Sequence, residues 1–272
     1  MNREPLGSRM KRYEESTNFK IIPRTPIMLR IDGKAFSNLT KKLKLKKPYD
    51  IDFSTWMAET AVAIANEIQG CMLGYTQSDE MTFIIRTDQS DNTTPWFDNR
   101  VQKIVSVAAS VASASFNEFV PYLKSESGCL VFENGRAKKA VKAIFDCRVW
   151  PMPSMTEVFN NFIWRQRDCV KNSISSACYY EVGEALGKKT ARKLMHRKTQ
   201  SEQQEILFQE TGINWSTYPE EFKNGIVIFR ETVTITNDNG VAIRKRWTYK
   251  AAPIFTSEEG RAWLTRVLTP ER

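Results

Sequence analysis

The sequence predicts an α+β fold, in which a ferredoxin-like split βαβ sheet is followed by a C-terminal helical and β-hairpin appendage. Up to about residue 180, segments with strand and helix patterns follow the order strand, helix, strand, strand, helix, strand, which is the split βαβ order. Beyond that point, two long strand-like segments flank an Asn-Gly pair, which is typical of a β-hairpin. We expect an antiparallel sheet with helices on one face.

The first elements are a short helix and a buried strand. Residues 9–18 are rich in charge and predict a short surface helix. Residues 27–31 form a compact apolar run between Pro26 and the Asp32-Gly33 pair, which is typical of a buried strand.

A helix and a strand pair come next. Apolar residues at helical spacing predict a helix over 53–68, and Gly70 is a suitable stop. Two apolar runs at 73–75 and 81–85 predict strands that are joined by a hairpin-like connection.

The second helix and last strand of the split βαβ unit follow. Residues 97–119 are rich in Ala, Ser and Val, and these small side chains suit a helix packed closely on a sheet. Residues 141–149 predict a strand, and Ser154 is placed to cap a long helix that runs to about residue 180.

The remainder of the chain predicts short helices, strands at 226–236 and 241–249, and a last helix at 257–268. We therefore divide the chain into residues 1–180, which carry the sheet, and residues 181–272, a helical and hairpin extension that packs on the first part as one unit.

Composition excludes several classes of protein. The chain has 272 residues, of which 41% are hydrophobic and 26% charged, as in ordinary globular domains. No apolar run is long enough to span a membrane, and the N-terminus lacks the apolar core of a signal peptide, so we expect a cytoplasmic location. His196 is the only histidine and no CxxC pair occurs, which argues against a zinc site and a Ser-His-Asp triad.

Positive charge indicates a polyanionic partner. The formal net charge is +9, and such an excess attracts nucleic acids through a salt-sensitive, sequence-independent term. The charge is clustered: lysines crowd residues 41–47, and six cations with no acid lie between residues 188 and 198.

Acidic residues stand at two predicted strand ends. Asp32, followed by Gly33, ends the first strand, whereas Asp79 and Glu80 lie in the turn between the next two. In a split βαβ sheet the first strand lies beside the third, so Asp32 and Asp79 could face each other. Converging carboxylates repel unless a cation such as Mg²⁺ binds them, and two such ions could activate a hydroxyl and stabilise a pyrophosphate leaving group. The alternative, that these residues merely form turns, stays open on spacing alone.

Longer motifs resemble a known family. These are RIDGKAF at 30–36, KPYD at 47–50, GYTQSDE at 74–80, FDCRV at 145–149, WRQRD at 164–168 and GINW at 212–215. In this order they resemble the tRNA-His guanylyltransferase family over nearly the whole chain. The resemblance implies a polymerase-like palm in residues 1–180 that extends RNA in the 3′-to-5′ direction. A tRNA 5′ end would be activated, usually with ATP, and then attacked by the 3′-hydroxyl of an incoming nucleotide such as GTP.

The resemblance also implies roles for individual residues. Asp32, Asp79 and the Gly33 carbonyl would bind two Mg²⁺ ions, and Glu80 would support this catalytic site. The nucleotide would be contacted by Lys34, Ala35, Phe36, Lys47, Asp50, Ser78, Arg100 and Lys103. The expected tRNA contacts are Lys41, Lys42, Lys44, Arg148, Arg167 and Asn172. We expect Trp164 in the core, and at most one of Arg165 and Arg167 buried beside the site.

One departure from the family pattern bears on specificity. Enzymes that add guanylate to tRNA-His carry a His-Ile-Asn-Asn stretch after Trp-Arg-Gln, but here the matching residues are Val170-Lys171-Asn172-Ser173. This resembles the bacterial and archaeal guanylyltransferase-like branch, which repairs truncated 5′ ends by templated addition. The resemblance also implies a homotetramer. Two alternatives remain. One is a nucleotidyl cyclase, because cyclases also carry paired carboxylates on such a sheet. The other is a tRNA-binding module that has kept the palm but lost catalysis.

Overall fold

The computed structural model describes residues 4–89, 92–119, 132–133, 136–137, 142–237 and 240–269. Its strands are β1 (Ile27–Gly33), β2 (Cys71–Gln77), β3 (Glu80–Ile85), β4 (Phe132–Glu133), β5 (Arg136–Ala137), β6 (Phe145–Pro151), β7 (Ile226–Asn237) and β8 (Gly240–Ala251). Six of them form one sheet in the order β6-β1-β3-β2-β7-β8, while β4 and β5 pair separately.

The helices occupy most of the remaining described chain. They are α1 (Leu6–Glu15), α2 (Phe36–Lys42), α3 (Ile51–Glu67), α4 (Val101–Phe119), α5 (Met155–Ala177), α6 (Gly183–Leu186), α7 (Lys188–Met195), α8 (Gln200–Thr211), α9 (Glu220–Asn224) and α10 (Glu258–Leu268). A π-helical turn, Cys178–Val182, continues α5. Among the described residues, no helix combines the length and apolar character needed to cross a membrane.

The predicted split βαβ unit is confirmed. Strand β1 pairs antiparallel with both β3 and β6, and β2 pairs antiparallel with β3. The helix starts also follow the sequence: Asp50 accepts a hydrogen bond from the Phe53 amide at the start of α3, and Ser154 accepts one from the Glu157 amide at the start of α5. These side chains satisfy amides that have no partner within a helix.

The prediction of helices on one face only is wrong in one respect. Alternate residues of β1 point to opposite faces: Leu29 packs in a core with α3 and α4, whereas Met28 packs in a second core with α5 and α10. The two helices of the split βαβ unit do lie on one face. Helices that come later in the chain cover the other face, because the sheet is apolar on both sides.

The C-terminal hairpin extends the sheet. Strand β7 pairs with β2 through Ile226–Ile228 and then pairs along its whole length with β8. A third, smaller core joins the π-helical turn to α7 and α8. The predicted division at residue 180 stays a prediction.

The two largest differences between predicted and observed boundaries lie at the starts of α4 and β6. Helix α4 begins at Val101 rather than 97, because Phe97, Asp98 and Asn99 all have positive φ angles, which a right-handed helix excludes. Strand β6 begins at Phe145; residue 141, where we expected the strand to start, lies outside the described residues.

Candidate active site

One end of the sheet brings the predicted acidic residues together. Asp32 lies opposite Glu80 on β3 and opposite Asp146 on β6. The amide of Gly33 donates a hydrogen bond of 3.0 Å to the carbonyl oxygen of Asp79. The pairing of β1 with β3 therefore places Asp32 and Asp79 at the same end of the sheet.

The turn that carries Asp79 is tight. Ser78 and Asp79 are its two central residues, between the paired Gln77 and Glu80. Ser78 has a φ of 51°, a conformation that a side chain with a Cβ seldom adopts unless its surroundings hold it there. The Ser78 Oγ lies 3.1 Å from Asp79 Oδ1 and donates to it. The turn thus fixes the Asp79 carboxylate toward the cleft described below.

The charge at this edge is incompletely balanced. Burial raises the pKa of Asp79, and the negative charge of Asp32 raises it further. Burial lowers the pKa of the nearby Lys47, although the charges of Asp50 and Asp79 oppose that shift. Arg148 approaches Asp32 at 3.7 Å but is largely exposed. The combined negative charge of Asp32 and Asp79 favours the binding of a cation at this end of the sheet.

The ligands available to a metal ion here are all oxygen atoms. They are the carboxylates of Asp32 and Asp79 and the carbonyl of Gly33, which suit Mg²⁺, an ion that commonly takes one or two carboxylates and completes its shell with water and phosphate oxygens. Within the described ranges, no group of three or more His, Cys, Asp or Glu side chains is arranged to hold a metal.

Glu80 faces a different environment from its neighbour Asp79. Its two oxygens accept hydrogen bonds of 2.7 Å from Nε and Nη2 of Arg165, and Arg30 lies 3.6 Å away. Arg165 also donates to Asp168 at 2.8 Å. Because Glu80 and Arg165 are both buried, the oxygens of Glu80 are occupied by this ion pair. Glu80 supports the turn through α5, and its oxygens do not face the cleft as free ligands.

The WRQRD motif is oriented as its spacing suggested, with one exception. Arg165 is buried and Arg167 is exposed. The expectation that Trp164 lies in the core is wrong, because half of its surface is exposed. Its ring packs instead against two guanidinium groups, 4.4 Å from Arg165 and 5.4 Å from Arg30, in a cation–π arrangement.

A cleft of about 540 Å³ opens beside the two carboxylates, within the range of small-molecule sites. The predicted site residues that line it are Asp32, Gly33, Ala35, Phe36, Lys47, Asp50, Ser78, Asp79 and Asn172. Lining residues that sequence reasoning missed include Tyr49, Gln77, Cys169, Tyr180 and Phe222. Tyr49 and Gln77 could have been found because they lie within the KPYD and GYTQSDE motifs, whereas Cys169 and Tyr180 gave no signal.

The loop before α3 contributes a cation and a helix cap. Lys47 Nζ lies 3.4 Å from Thr40 Oγ1 and 5.9 Å from the centre of the Tyr180 ring. Asp50 accepts hydrogen bonds from the amides of Lys46 and Phe53. Asp50 therefore holds the loop that presents Lys47 to the cleft.

The segment after β1 is shaped by packing. The ring of Phe36 is buried among Phe53, Phe116 and Phe145. A Cβ on Gly33 would lie 2.3 Å from that ring, so only glycine leaves room for this contact. The Lys34 side chain is exposed and does not line the cleft.

Arg100 and Lys103 are placed apart from the cleft. They flank the start of α4, whereas Phe116, near the end of that helix, packs against Phe36 in the cleft wall. At about 1.5 Å per residue, Lys103 lies roughly 20 Å from Phe116 along the helix. A nucleotide contact by this pair stays a prediction, and it would involve a different part of the substrate from that held beside Asp32.

The expected tRNA contacts lie on the surface. Lys41, Lys42, Lys44, Arg148, Arg167 and Asn172 are exposed. Of these, Asn172 lines the cleft, donating to Asp168 at 3.3 Å. Arg148 lies beside Asp32 at the edge of the sheet. The structure thus places one of the six side chains in the lining of the cleft and one beside Asp32.

Comparison with known proteins identifies relatives over nearly the whole chain. The sequence profile for tRNAHis guanylyltransferase matches residues 7–153, and the profile for the C-terminal domain of the same family matches residues 156–259. The tRNA(His) guanylyltransferase of Debaryomyces hansenii is 30% identical over 225 residues, which cover 82% of this chain and 79% of that protein.

Solved structures give the same result. A bacterial tRNA(His) guanylyltransferase-like protein in complex with ATP superposes with a TM-score of 0.76 and 33% identity, covering 98% of this chain and 100% of that chain. A bacterial guanylyltransferase-like protein in complex with GTP gives a TM-score of 0.71 and 32% identity, with the same coverage.

Proposed function

Because the chain belongs to the tRNAHis guanylyltransferase family, we propose that this nucleotidyltransferase uses magnesium to add nucleotides to the 5′ end of tRNA, with templated repair of truncated ends as its main reaction. The observation that carries the proposal is the meeting of Asp32 and Asp79 beside a nucleotide-sized cleft. The ATP and GTP complexes of the bacterial relatives support nucleoside triphosphates as substrates.

Asp32, Asp79 and the carbonyl of Gly33 would hold the magnesium ions. When bound, magnesium would supply the positive charge that offsets the carboxylate pair and polarises phosphate oxygens. The raised pKa of Asp79, caused by burial and by the charge of Asp32, supports this assignment, because a cation relieves both effects.

Other cleft residues would bind and orient the substrates. Lys47 carries a positive charge beside Asp79, where it would bind triphosphate oxygens. Ser78 lies exposed at the tip of the turn, where it would donate to phosphate. Catalysis would then depend on positioning of the substrates and on stabilisation of charge. The 3′-hydroxyl of the incoming nucleotide attacks the activated 5′ phosphate, and the activating nucleotide leaves as its monophosphate.

The preference for repair rests on α5. Position 170, where guanylate-adding relatives carry histidine, is Val170, and Asn172 lines the cleft instead. Valine offers no hydrogen bond to a particular base or phosphate. Selection of the incoming nucleotide would then come from pairing with the opposite RNA strand.

The test compares a 5′-truncated tRNA with full-length tRNA-His, each incubated with ATP and one NTP at a time. We expect extension of the truncated RNA only with the nucleotide complementary to the opposing strand. Extension of tRNA-His by guanylate alone would overturn the repair preference. Cyclic nucleotide formed from GTP without RNA would favour a cyclase, and RNA binding without any product would favour a non-catalytic module.

A homotetramer in the cytoplasm is a further part of the proposal. Leu6, Met10 and Tyr13 form an exposed apolar stripe on α1, a helix without buried residues, and such a stripe suits a contact between copies. Light scattering of the purified chain would test it; a monomer at micromolar concentration would contradict this part.

A further inference from the structure

A second groove adjoins the catalytic cleft. It has a volume of about 720 Å³ and is lined by Ser78, Asn172, Ser175, Ser176, Tyr179, Tyr180, Arg192, Met195, His196 and Arg197. We call it the side groove. Four of its residues also line the cleft: Ser78, Asn172, Ser176 and Tyr180. A chain lying in the side groove would therefore lead directly to the carboxylate pair.

Two adjacent tyrosines form one wall of the side groove. Tyr179 and Tyr180 lie in the π-helical turn that follows α5, and their ring centres are 5.1 Å apart with an interplanar angle of 74°. Consecutive residues of an α-helix point about 100° apart, and a π-helical turn changes that spacing. Such turns are often found at functional sites. Both rings are partly exposed and both face the groove.

Positively charged side chains adjoin the tyrosines in the lining of the side groove. Arg192 Nη2 donates to the Tyr179 hydroxyl at 3.1 Å, and its guanidinium lies 5.5 Å from that ring. Arg197, in the segment between α7 and α8, has a φ of 57°. Among the described residues, no carboxylate pairs with Arg192 or Arg197 within 4.0 Å. The segment from 188 to 198 contains no acid, so this part of the lining attracts anions.

We propose that the side groove binds unpaired RNA nucleotides, specifically those of the strand opposite a recessed 5′ end. This inference rests on the proposed function, because the unpaired nucleotides opposite a recessed 5′ end are the template of that reaction. Aromatic rings that stack on bases, combined with arginines that hold phosphates, are the usual means of binding single-stranded RNA. The template base would thereby be held close to the incoming nucleotide.

The binding test uses a fluorescently labelled RNA hairpin with either a blunt end or four unpaired nucleotides opposite its recessed 5′ end. Anisotropy is measured at one fixed salt concentration without NTP. We expect Tyr179→Ala to weaken binding of the recessed RNA roughly tenfold, since one stacked base is lost, and to leave blunt RNA almost unchanged. Tyr179→Phe keeps the ring and should bind the recessed RNA nearly as the wild type does.

The charge arm uses a matched pair. Arg197→Gln removes one positive charge from the side groove, and Lys189→Gln removes one from an exposed position of α7 that does not line it. We expect a larger loss for Arg197→Gln on recessed RNA than for Lys189→Gln. Circular dichroism melting of each variant checks that the fold is retained.

The outcomes separate this inference from the proposed function. Suppose that the wild type extends truncated tRNA normally, and that Tyr179→Ala and Arg197→Gln bind recessed RNA as the wild type does. This result would overturn the assignment of the side groove to unpaired RNA and leave the proposed function intact. Loss of recessed-RNA binding in both variants would support the groove even if the wild type extended no RNA. Raised KM for ATP with unchanged RNA binding would assign the groove to a nucleotide and overturn the inference.

Discussion

Asp79 and Glu80 are neighbours in the chain, yet they lie in opposite electrostatic environments. Asp79 faces the cleft beside a second carboxylate, and its pKa is raised by burial and by that neighbour. Glu80 is buried in a bidentate ion pair with Arg165. The comparison separates two uses of an acidic residue: the unbalanced carboxylate is available to a ligand, and the balanced one holds the scaffold.

The largest effect should come from Asp79→Asn. We expect nucleotide addition to fall roughly a thousandfold, since the loss of a metal ligand removes several kcal/mol of charge stabilisation from the transition state. The measurement is single-turnover extension of truncated tRNA under saturating magnesium. Ser216→Ala, at an exposed position that does not line the cleft, is the control. Near-normal activity in Asp79→Asn would contradict the assignment of Asp79.

The same variant should not lose stability. The pKa of Asp79 is raised from 3.8, so the folded protein holds that proton more tightly than the unfolded chain. This contribution is complete below the unfolded pKa and is lost as the pH rises through the raised folded pKa. Without magnesium at neutral pH, Asp79→Asn should therefore be at least as stable as the wild type. Urea denaturation at several pH values measures the difference, which should narrow in acid.

Arg165→Met should show the reverse pattern, with stability affected first. Removing Arg165 takes away both short hydrogen bonds of the buried Glu80 and leaves it only the more distant Arg30, at 3.6 Å, which should cost up to about 3–5 kcal/mol. Arg167→Met, two residues away and exposed, is the matched control and should change the free energy of unfolding little. Adding Glu80→Gln to Arg165→Met should recover part of the loss. Equal, small losses for Arg165→Met and Arg167→Met would show that the ion pair is not a scaffold.

The smallest effect should come from Trp164→Ala. This change removes the ring that lies over Arg165 and Arg30, and exposed cation–π contacts are worth about 0.5–1 kcal/mol each. We expect a loss of about 1–2 kcal/mol in urea denaturation, with Trp164→Phe close to the wild type. A loss of unfolding free energy as large as that of Arg165→Met would show that Trp164 contributes to stability as a core residue does.

Much of the fold was accessible from the sequence because local signals marked its elements. Turn residues and apolar runs gave the strand order, and the split βαβ topology then placed Asp32 beside Asp79. The helices on the second face were missed, because apolar residues in a strand do not reveal which later segment will cover them.

Other parts of the site depend on information that a sequence pattern does not carry. The spacing of Arg100 and Lys103 gave a shared helix face but not which end of α4 lies near the cleft. Trp164 was misplaced because an aromatic residue at helical spacing also suits a surface ring over arginines. The side groove was missed because a π-helical turn at Tyr179 and Tyr180 interrupts a helical pattern without a glycine or proline to mark it.

The pairing of β7 with β2 has a consequence for synthesis of the chain. On the ribosome, β2 emerges about 150 residues before Ile226–Ile228, its later partner. Until then an apolar strand has an unprotected edge, which is a template for aggregation. The wall of the cleft formed by Phe222 and Ile226 also forms last. A nascent chain released early would therefore carry the turn with Asp79 on an incomplete, aggregation-prone sheet, and its nucleotide site would lack one wall.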